Sequence, residues 1–350
     1  MKPNLAYLNW VLNRLMVRQR PALDEVATRS WEISPATSET SRSAIYLDDT
    51  LERIIAYTPW GSEAHEMERV LGGPGEHAAT VAYQMENVRI SGPMLYRGAF
   101  KARHGFGPER PFADLPRHEV IDDAHLVSNF AGSLFFGSFL IDIAVEMLPA
   151  DGDLAIGMVT NEYGHEAEYR RMLSLPRPPT AENTTVGKLV FYSDFAQNGL
   201  KEERYRELRR RLRTHFPDAA ERPAGVYLKR GVTGERRVVA NETEIETVLE
   251  ERGYDIVEPA VLGAEEITRR CLDAPVVISV EGSHLSHAIY SLADDGAYVV
   301  LQPPDRFAMP YKEVADRLDQ RFAFEVGTPA EGGFMIDVGR LQRLLDRLDA

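Results

Sequence analysis

The sequence predicts an α/β protein, with a mostly parallel sheet in its last third and antiparallel strands in its first half. Five apolar runs, at 225–230, 254–259, 275–280, 297–302 and 322–327, alternate with helical patterns. Alternation at that spacing makes βαβ units. Upstream, "ATVAYQMENVRISGPMLYRGAFKARHGF" alternates between Gly and Asn breaks, which suits antiparallel strands and turns. The chain has 350 residues, 44% of them apolar, so it exceeds a single core and two domains are expected.

Taken in order, the first stretch, "MKPNLAYLNWVLNRLMVRQR", reads as an amphipathic helix. Leu5, Leu8, Leu12, Leu15 and Met16 share one face, with Arg14, Arg18 and Arg20 nearby. Asn and Arg interrupt every apolar run, so it reads neither as a signal peptide nor as a spanning helix. Packing on its own domain is favoured over attachment to a membrane surface. A long apolar helix is expected at 134–148 and a strand at "LAIGMVT". The run "SLPRPPTAENTT" (173–185) is a loop by composition, and "FPDAAERPAG" (216–225) marks the start of a second domain. The Arg-rich helix before it, "EERYRELRRRLRTHF", is expected to present a solvated basic face.

In "NETEIETVLEERG", Asn241 caps a helix, Glu244 returns the bond three residues on, and Gly253 ends it. Further helices are expected over about 263–273, 282–292 and 310–320. In the tail, Val338, Leu341, Leu344, Leu345 and Leu348 form one face of a docked closing helix.

Forty basic residues against fifty-four acidic give a net charge of −14. Phosphate-backbone affinity comes from clustered Lys and Arg, so a chain this acidic is a poor general nucleic-acid binder and any anionic ligand needs a local basic patch. Cys271 is the only cysteine, which rules out an internal disulfide and fits a reducing, cytoplasmic setting. Its helical context makes it a small core residue rather than a nucleophile. "GPGEHA" (73–78) satisfies G-x-G-x-x-A but follows a helical pattern, so a loop is expected rather than a dinucleotide turn. The serine-hydrolase elbow G-x-S-x-G is absent.

The chemistry concentrates in two places. In "VVISVEGSHLSHAIYSL" (276–292) a buried strand runs into Glu281, Gly282, Ser283 and His284 where a helix is expected to start. Ligands of parallel sheets bind at strand carboxyl ends, and a helix start offers unpaired N–H groups to a phosphate. In "YLKRGVTGERRVVANE", Lys229, Arg230, Arg236 and Arg237 crowd the carboxyl end of the domain's first strand. Fork-shaped guanidinium groups suit phosphate oxygens. Both loops are expected on one edge of the sheet, favouring a nucleotide-type anion over a capped turn beside a solvated loop. Glu281, His284 and His287 offer a rival reading as metal ligands, but no paired ligand motif lies elsewhere.

The ordered set "YLKRG", "RRVVANETE", "RGYDIVEP", "VEGSHLSH" and "VVLQPP", from about Tyr227 to Pro304, resembles the C-terminal half of glycosyltransferase family 61. Its members include plant xylan-decorating transferases, an animal protein O-GlcNAc transferase and many bacterial polysaccharide-type enzymes. "LFFGSFLIDIAVEML" resembles the family's upstream Asn-Tyr-x-His-x-x-x-Asp segment more weakly. Three positions depart from the pattern: Glu281 and Ser138 replace His, and His287 replaces Asn.

The resemblance implies a GT-B-like α/β fold, two Rossmann-like domains with extra antiparallel strands in the N-terminal half. Residues 1–215 would form the acceptor-side domain and 222–330 the nucleotide-sugar domain, with 331–350 returning as a helix to the first. It also implies inverting sugar transfer from a nucleotide sugar to a polysaccharide or glycoconjugate acceptor, without a metal cofactor. Arg230 with Arg236 or Arg237 would hold the diphosphate, helped by Lys229, Asn241, Gly282 and Ser283. Asp142, Glu281 and His284 are the catalytic candidates, with Glu146 behind Asp142 as base. Nucleic acid is not an expected partner, membrane contact is at most peripheral, and a homo-oligomer stays open. The runner-up is a catalytically silent nucleotide-binding or scaffolding homologue, which the Glu at 281 would suit.

Overall fold

The computed structural model describes residues 2–217, 222–231 and 237–349, and the fold is mixed α/β. The chain divides into two compact units, each drawn from separated stretches. Met1–Thr37, Ala78–Gly164 and Leu175–Lys201 make the first; Ser38–His77, His165–Ser174 and Glu202–Ala350 make the second. This differs from a single cut at 216–225, because 38–77 joins the C-terminal part. Ile45 N–H donates to the Phe322 carbonyl at 2.8 Å, and the Ile45 carbonyl accepts from Phe324 N–H at 3.0 Å. Local sequence pattern carries no sign of a bond that distant.

The first unit holds a seven-stranded mixed sheet. Its order is Ala155–Ile156, Glu119–Leu126, Asn183–Ser193, Thr80–Ser91, Met94–Arg97 and Phe100–Arg103, with Arg29–Ser34 also on Thr80–Ser91. Glu119–Leu126 pairs in parallel with both neighbours; the other pairings are antiparallel. The expected hairpins are present, and Gly92 and Gly98 supply their tight turns at φ 55° and 56°. Met85, Ile90, Leu126, Val186 and Leu189 fill the core beneath.

Two expectations for this unit need correction. The long apolar helix is broken into Phe130–Leu134, Phe136–Asp142 and a 3-10 turn Ile143–Met147, because Phe135 takes an extended conformation (φ −123°, ψ 130°). The N-terminal helix, Leu5–Leu15, packs through Ala6, Tyr7 and Trp10 on Met94 and Tyr96 and leaves its leucine face outside.

The second unit is built on a five-stranded parallel sheet, in the order Tyr254–Val257, Gly225–Leu228, Val276–Val280, Ala297–Gln302 and Arg321–Val326. All five expected strands are present. Helices Glu242–Glu251, Ala264–Cys271 and Pro310–Arg317 also fall where expected. Cys271 is buried, and burial pushes its thiol up to about 12.

The closing helix Val338–Asp349 forms, but it joins the core of this unit, not the N-terminal domain as the resemblance implied. Leu341, Leu344, Leu345 and Leu348 pack with Ile278, Val280, Val299 and Leu301. Arg340, on the same helix, bonds buried Glu325 at 2.6 Å, Asp49 at 2.7 Å and Thr50 at 2.6 Å. Breaking such a buried pair on one side costs about 3–5 kcal/mol.

The Arg-rich helix is Gly199–His215, and its basic face is not merely solvated. Arg209 is buried and donates to the carbonyls of Ile289 (3.2 Å) and Leu292 (2.7 Å) and to Asp294 (2.6 Å). "GPGEHA" proves to be a strand, Gly73–His77, rather than a loop. No helix among the described residues is long and apolar enough to cross a membrane.

Candidate functional site

Numbered along the chain, the parallel sheet has the order 2-1-3-4-5. After the first strand, Gly225–Leu228, the chain pairs to one side; from the third, Val276–Val280, it continues to the other. Ligands of such sheets bind where the order switches, beyond the carboxyl ends of strands 1 and 3. Arg230 follows the first of these strands and Glu281–Gly282 the other, so the two loops meet as expected.

Their contacts are direct. Arg237 donates to the Glu281 carbonyl at 2.7 Å and pairs with its carboxylate at 2.7 Å; Arg230 approaches the same carbonyl at 3.5 Å. Arg230 and Glu281 are each only 6% exposed. Gly282 sits at φ 139°, and a Cβ there would meet the guanidinium groups of both Arg230 and Arg237. The sequence puts glycine where the backbone must pass under two buried cations.

The electrostatics show crowding of positive charge. Burial, with Arg237 beside it, lowers Arg230 to about 10, while Glu281 and Tyr311 support its charge and Arg306 opposes it. Burial raises the Glu281 carboxyl against the pull of Arg237 and Arg230. Two arginines thus act on one carboxylate in a low-dielectric setting, and a third, Arg306, adds its repulsion to Arg230. An incoming dianion would relieve that repulsion and bond forked donors.

The expected α-helix at 282–292 is instead a 3-10 turn, Ser283–Ala288. Ser286 Oγ donates to the Ser283 carbonyl at 2.5 Å and Ser291 Oγ to the His287 carbonyl at 3.0 Å, so side chains take bonds a helix would use. The positive field at this edge therefore comes from guanidinium groups rather than a long helix dipole.

His284 and His287 lie on this turn with ring centroids 6.3 Å apart. Buried Tyr169 hydrogen-bonds His287 Nδ1 at 2.6 Å, while Thr268 donates to the Tyr169 hydroxyl at 3.4 Å, so the tyrosine proton points to the imidazole. His284 Nδ1 is buried and finds no hydrogen-bond partner among the described residues. Burial, helped by Arg230 and His165, lowers His284 to about 4; burial also lowers His287, with His165 and His284 adding to it. Both rings are neutral near pH 7.

This has a measurable consequence. The unfolded chain takes up protons on these histidines below about 6.5, while the folded chain refuses them. Stability is therefore present above 6.5 and lost as pH falls toward about 4 for His284. The slope is about 1.4 kcal/mol per pH unit for each histidine. Glu281, raised in the fold, opposes part of it. Thermal melts from pH 7.5 down to 4.5 should show the loss, and His284→Asn should flatten it; identical slopes would contradict the burial argument.

Other candidates fall elsewhere. Lys229 pairs with Glu246 at 2.6 Å, on the helix beside it, not with the arginines. Asn241 does not form the expected capping box. Its amide accepts from Ile336 N–H at 3.1 Å and donates to the Ile336 carbonyl at 2.8 Å and to Glu244 at 3.0 Å, tying the helix start to the tail segment. Arg236 lies outside the described residues. Ser283 is half-buried at the head of the turn. Asp142 belongs to the first unit, where burial raises its carboxyl while Lys201 and an Asn129 hydrogen bond oppose the rise and Asp194 adds to it. Among the described residues no group of three His, Cys, Asp or Glu side chains is placed to hold a metal ion, and Glu281 is committed to Arg237.

Sequence reasoning missed Arg306 and Tyr311. Arg306, in "QPPDRF", follows the fourth strand and so stands at the same carboxyl edge, a signal that was readable. Tyr311, buried and hydrogen-bonded to Ser286, carried none.

The family profile Glycosyltransferase 61 matches residues 46–300. The chain belongs to this glycosyltransferase family. No curated protein matches it. Within glycosyltransferase 61 the replacement at 281 now has a physical setting, since the carboxylate fixes Arg237 against the strand-end carbonyl.

Proposed function

We propose that this family member is an inverting, nucleotide-sugar-dependent transferase of bacterial type, acting on a polysaccharide or glycoconjugate acceptor. The observation that carries the reading is the buried pair Arg230–Arg237, joined by Arg306, at the switch point of a parallel sheet. That is where α/β sheets hold nucleotides. In this reading the second unit holds the donor. Arg230, Arg237 and Arg306 bind the diphosphate and stabilise it as it leaves. Gly282 admits the phosphates close to the backbone, and neutral His284 can donate to or accept from a donor hydroxyl or phosphate. Glu281 is a positioning residue that holds Arg237. Asp142, its carboxyl raised by burial, is the proposed base for the acceptor hydroxyl.

No metal is required in this scheme, because the guanidinium groups supply the counter-charge. Thermal shift with UDP, GDP and CMP ligands, with and without chelator, tests it. Stabilisation by a nucleotide that survives chelation is expected, together with release of nucleoside diphosphate from one sugar nucleotide in a panel. A strict requirement for manganese or magnesium would overturn the metal-free scheme, and absence of any nucleotide response would overturn the site.

A further inference from the structure

The N-terminal helix turns its apolar stripe away from the fold. Leu5, Leu8, Leu12, Leu15 and Met16 are 68%, 38%, 61%, 79% and 76% exposed. At helical spacing they fall within an arc of about 100°. The opposite side needs none of them. Ala6, Tyr7 and Trp10 seat the helix on Met94 and Tyr96, Trp10 Nε1 donates to the Ala99 carbonyl at 2.9 Å, and Asn4 caps the start through Tyr7 N–H at 3.3 Å. The helix is held in place and presents its leucines outward. Phe112, paired with Pro3 just before the helix, is 51% exposed and adds an apolar side chain at that end. A contiguous face of this kind marks an interaction site.

Charge says what covers it. Residues 2–20 carry Lys2, Arg14, Arg18 and Arg20 and no Asp or Glu, in a chain with 54 acidic and 40 basic residues. Lys2, Arg18 and Arg20 are exposed, and Arg20 lies over the Trp10 ring at 5.9 Å. A second copy of the same helix would bring two positive rims together with no carboxylate between them.

We propose that this face docks on an anionic lipid bilayer, its leucines entering the headgroup–acyl boundary while the basic residues meet lipid phosphates. A single helix of three turns gives reversible attachment, sensitive to lipid charge and to salt. The docking is independent of the nucleotide site, and none of its residues belongs to that site.

Flotation of the whole protein with vesicles tests it. Binding to phosphatidylcholine–phosphatidylglycerol vesicles is expected to exceed binding to phosphatidylcholine alone by roughly tenfold or more. The double variant Leu8→Ser, Leu12→Ser should lose roughly tenfold in binding to the anionic vesicles. Arg18→Gln with Arg20→Gln should lose several-fold, as should high salt, and melting temperatures should stay at the parent value because the altered side chains are exposed. Parent-level binding by the leucine variant would overturn the proposal, as would no preference for the anionic vesicles. A concentration-dependent dimer abolished by the leucine variant, without vesicle binding, would assign the face to a second copy instead.

Discussion

Arg230→Ala is expected to bind a nucleoside diphosphate roughly ten- to a hundredfold more weakly than the parent, and to melt no lower. The affinity loss follows from removing one charge-assisted donor, worth about 1.5–3 kcal/mol. The melting behaviour follows from the neighbours. Arg230 is buried beside Arg237 and Arg306, which repel it, and its guanidinium is pushed down to about 10 as a result of burial and that repulsion. Removing it relieves like-charge strain, while Glu281 keeps its bonds to Arg237. Calorimetric titration and a melting curve on one sample decide the matter. Parent-level affinity in the variant would place the nucleotide site elsewhere, and a large fall in melting temperature would make Arg230 structural.

The second large effect is on turnover. Asp142→Asn is expected to lower the rate at saturating donor by about 10²–10⁴-fold while nucleotide affinity stays at the parent value. Asn keeps the size and the hydrogen-bonding oxygen but cannot take a proton. The carboxyl stands above its ordinary value because burial outweighs Lys201 and the Asn129 hydrogen bond. As the acting base it would give a rate that falls as pH drops through that raised pKa, above the usual value of about 3.9. A structural Asp142 would behave differently: the variant would melt lower, and its rate per folded molecule would match the parent. Measuring rate, affinity and melting temperature together separates the two.

What the sequence disclosed and what it hid have identifiable causes. Strands buried on both faces read as unbroken apolar runs. Val276–Val280 and Ala297–Gln302 are buried throughout, so the parallel sheet was legible almost to the residue. The crowding of Arg230 and Arg237 near Glu281 followed once both loops were assigned to one edge. Local side-chain competition was not legible: Ser286 and Ser291 turn an expected helix into a 3-10 turn, and Asn241 spends its amide on Ile336. Periodicity also misled at the N-terminus. It found the leucine face of the first helix, but which face packs is decided by Met94 and Tyr96, far along the chain.

The bonds of Ile45 and Arg340 also govern how the protein is made. Arg340 and Thr50 are separated by 290 residues, yet the second unit needs them together. At ribosomal speeds of about 5–20 residues per second, residues near Thr50 wait roughly 15–60 s for their partner. The first unit is complete once residue 201 has emerged, whereas in the second the segment 38–77 waits for partners that begin at Pro304 and run on through Phe322 to Arg340. The contacts between 38–77 and that sheet therefore form late in synthesis, and the apolar residues around Ile45 stay without Phe322 and Phe324 until most of the chain has been made.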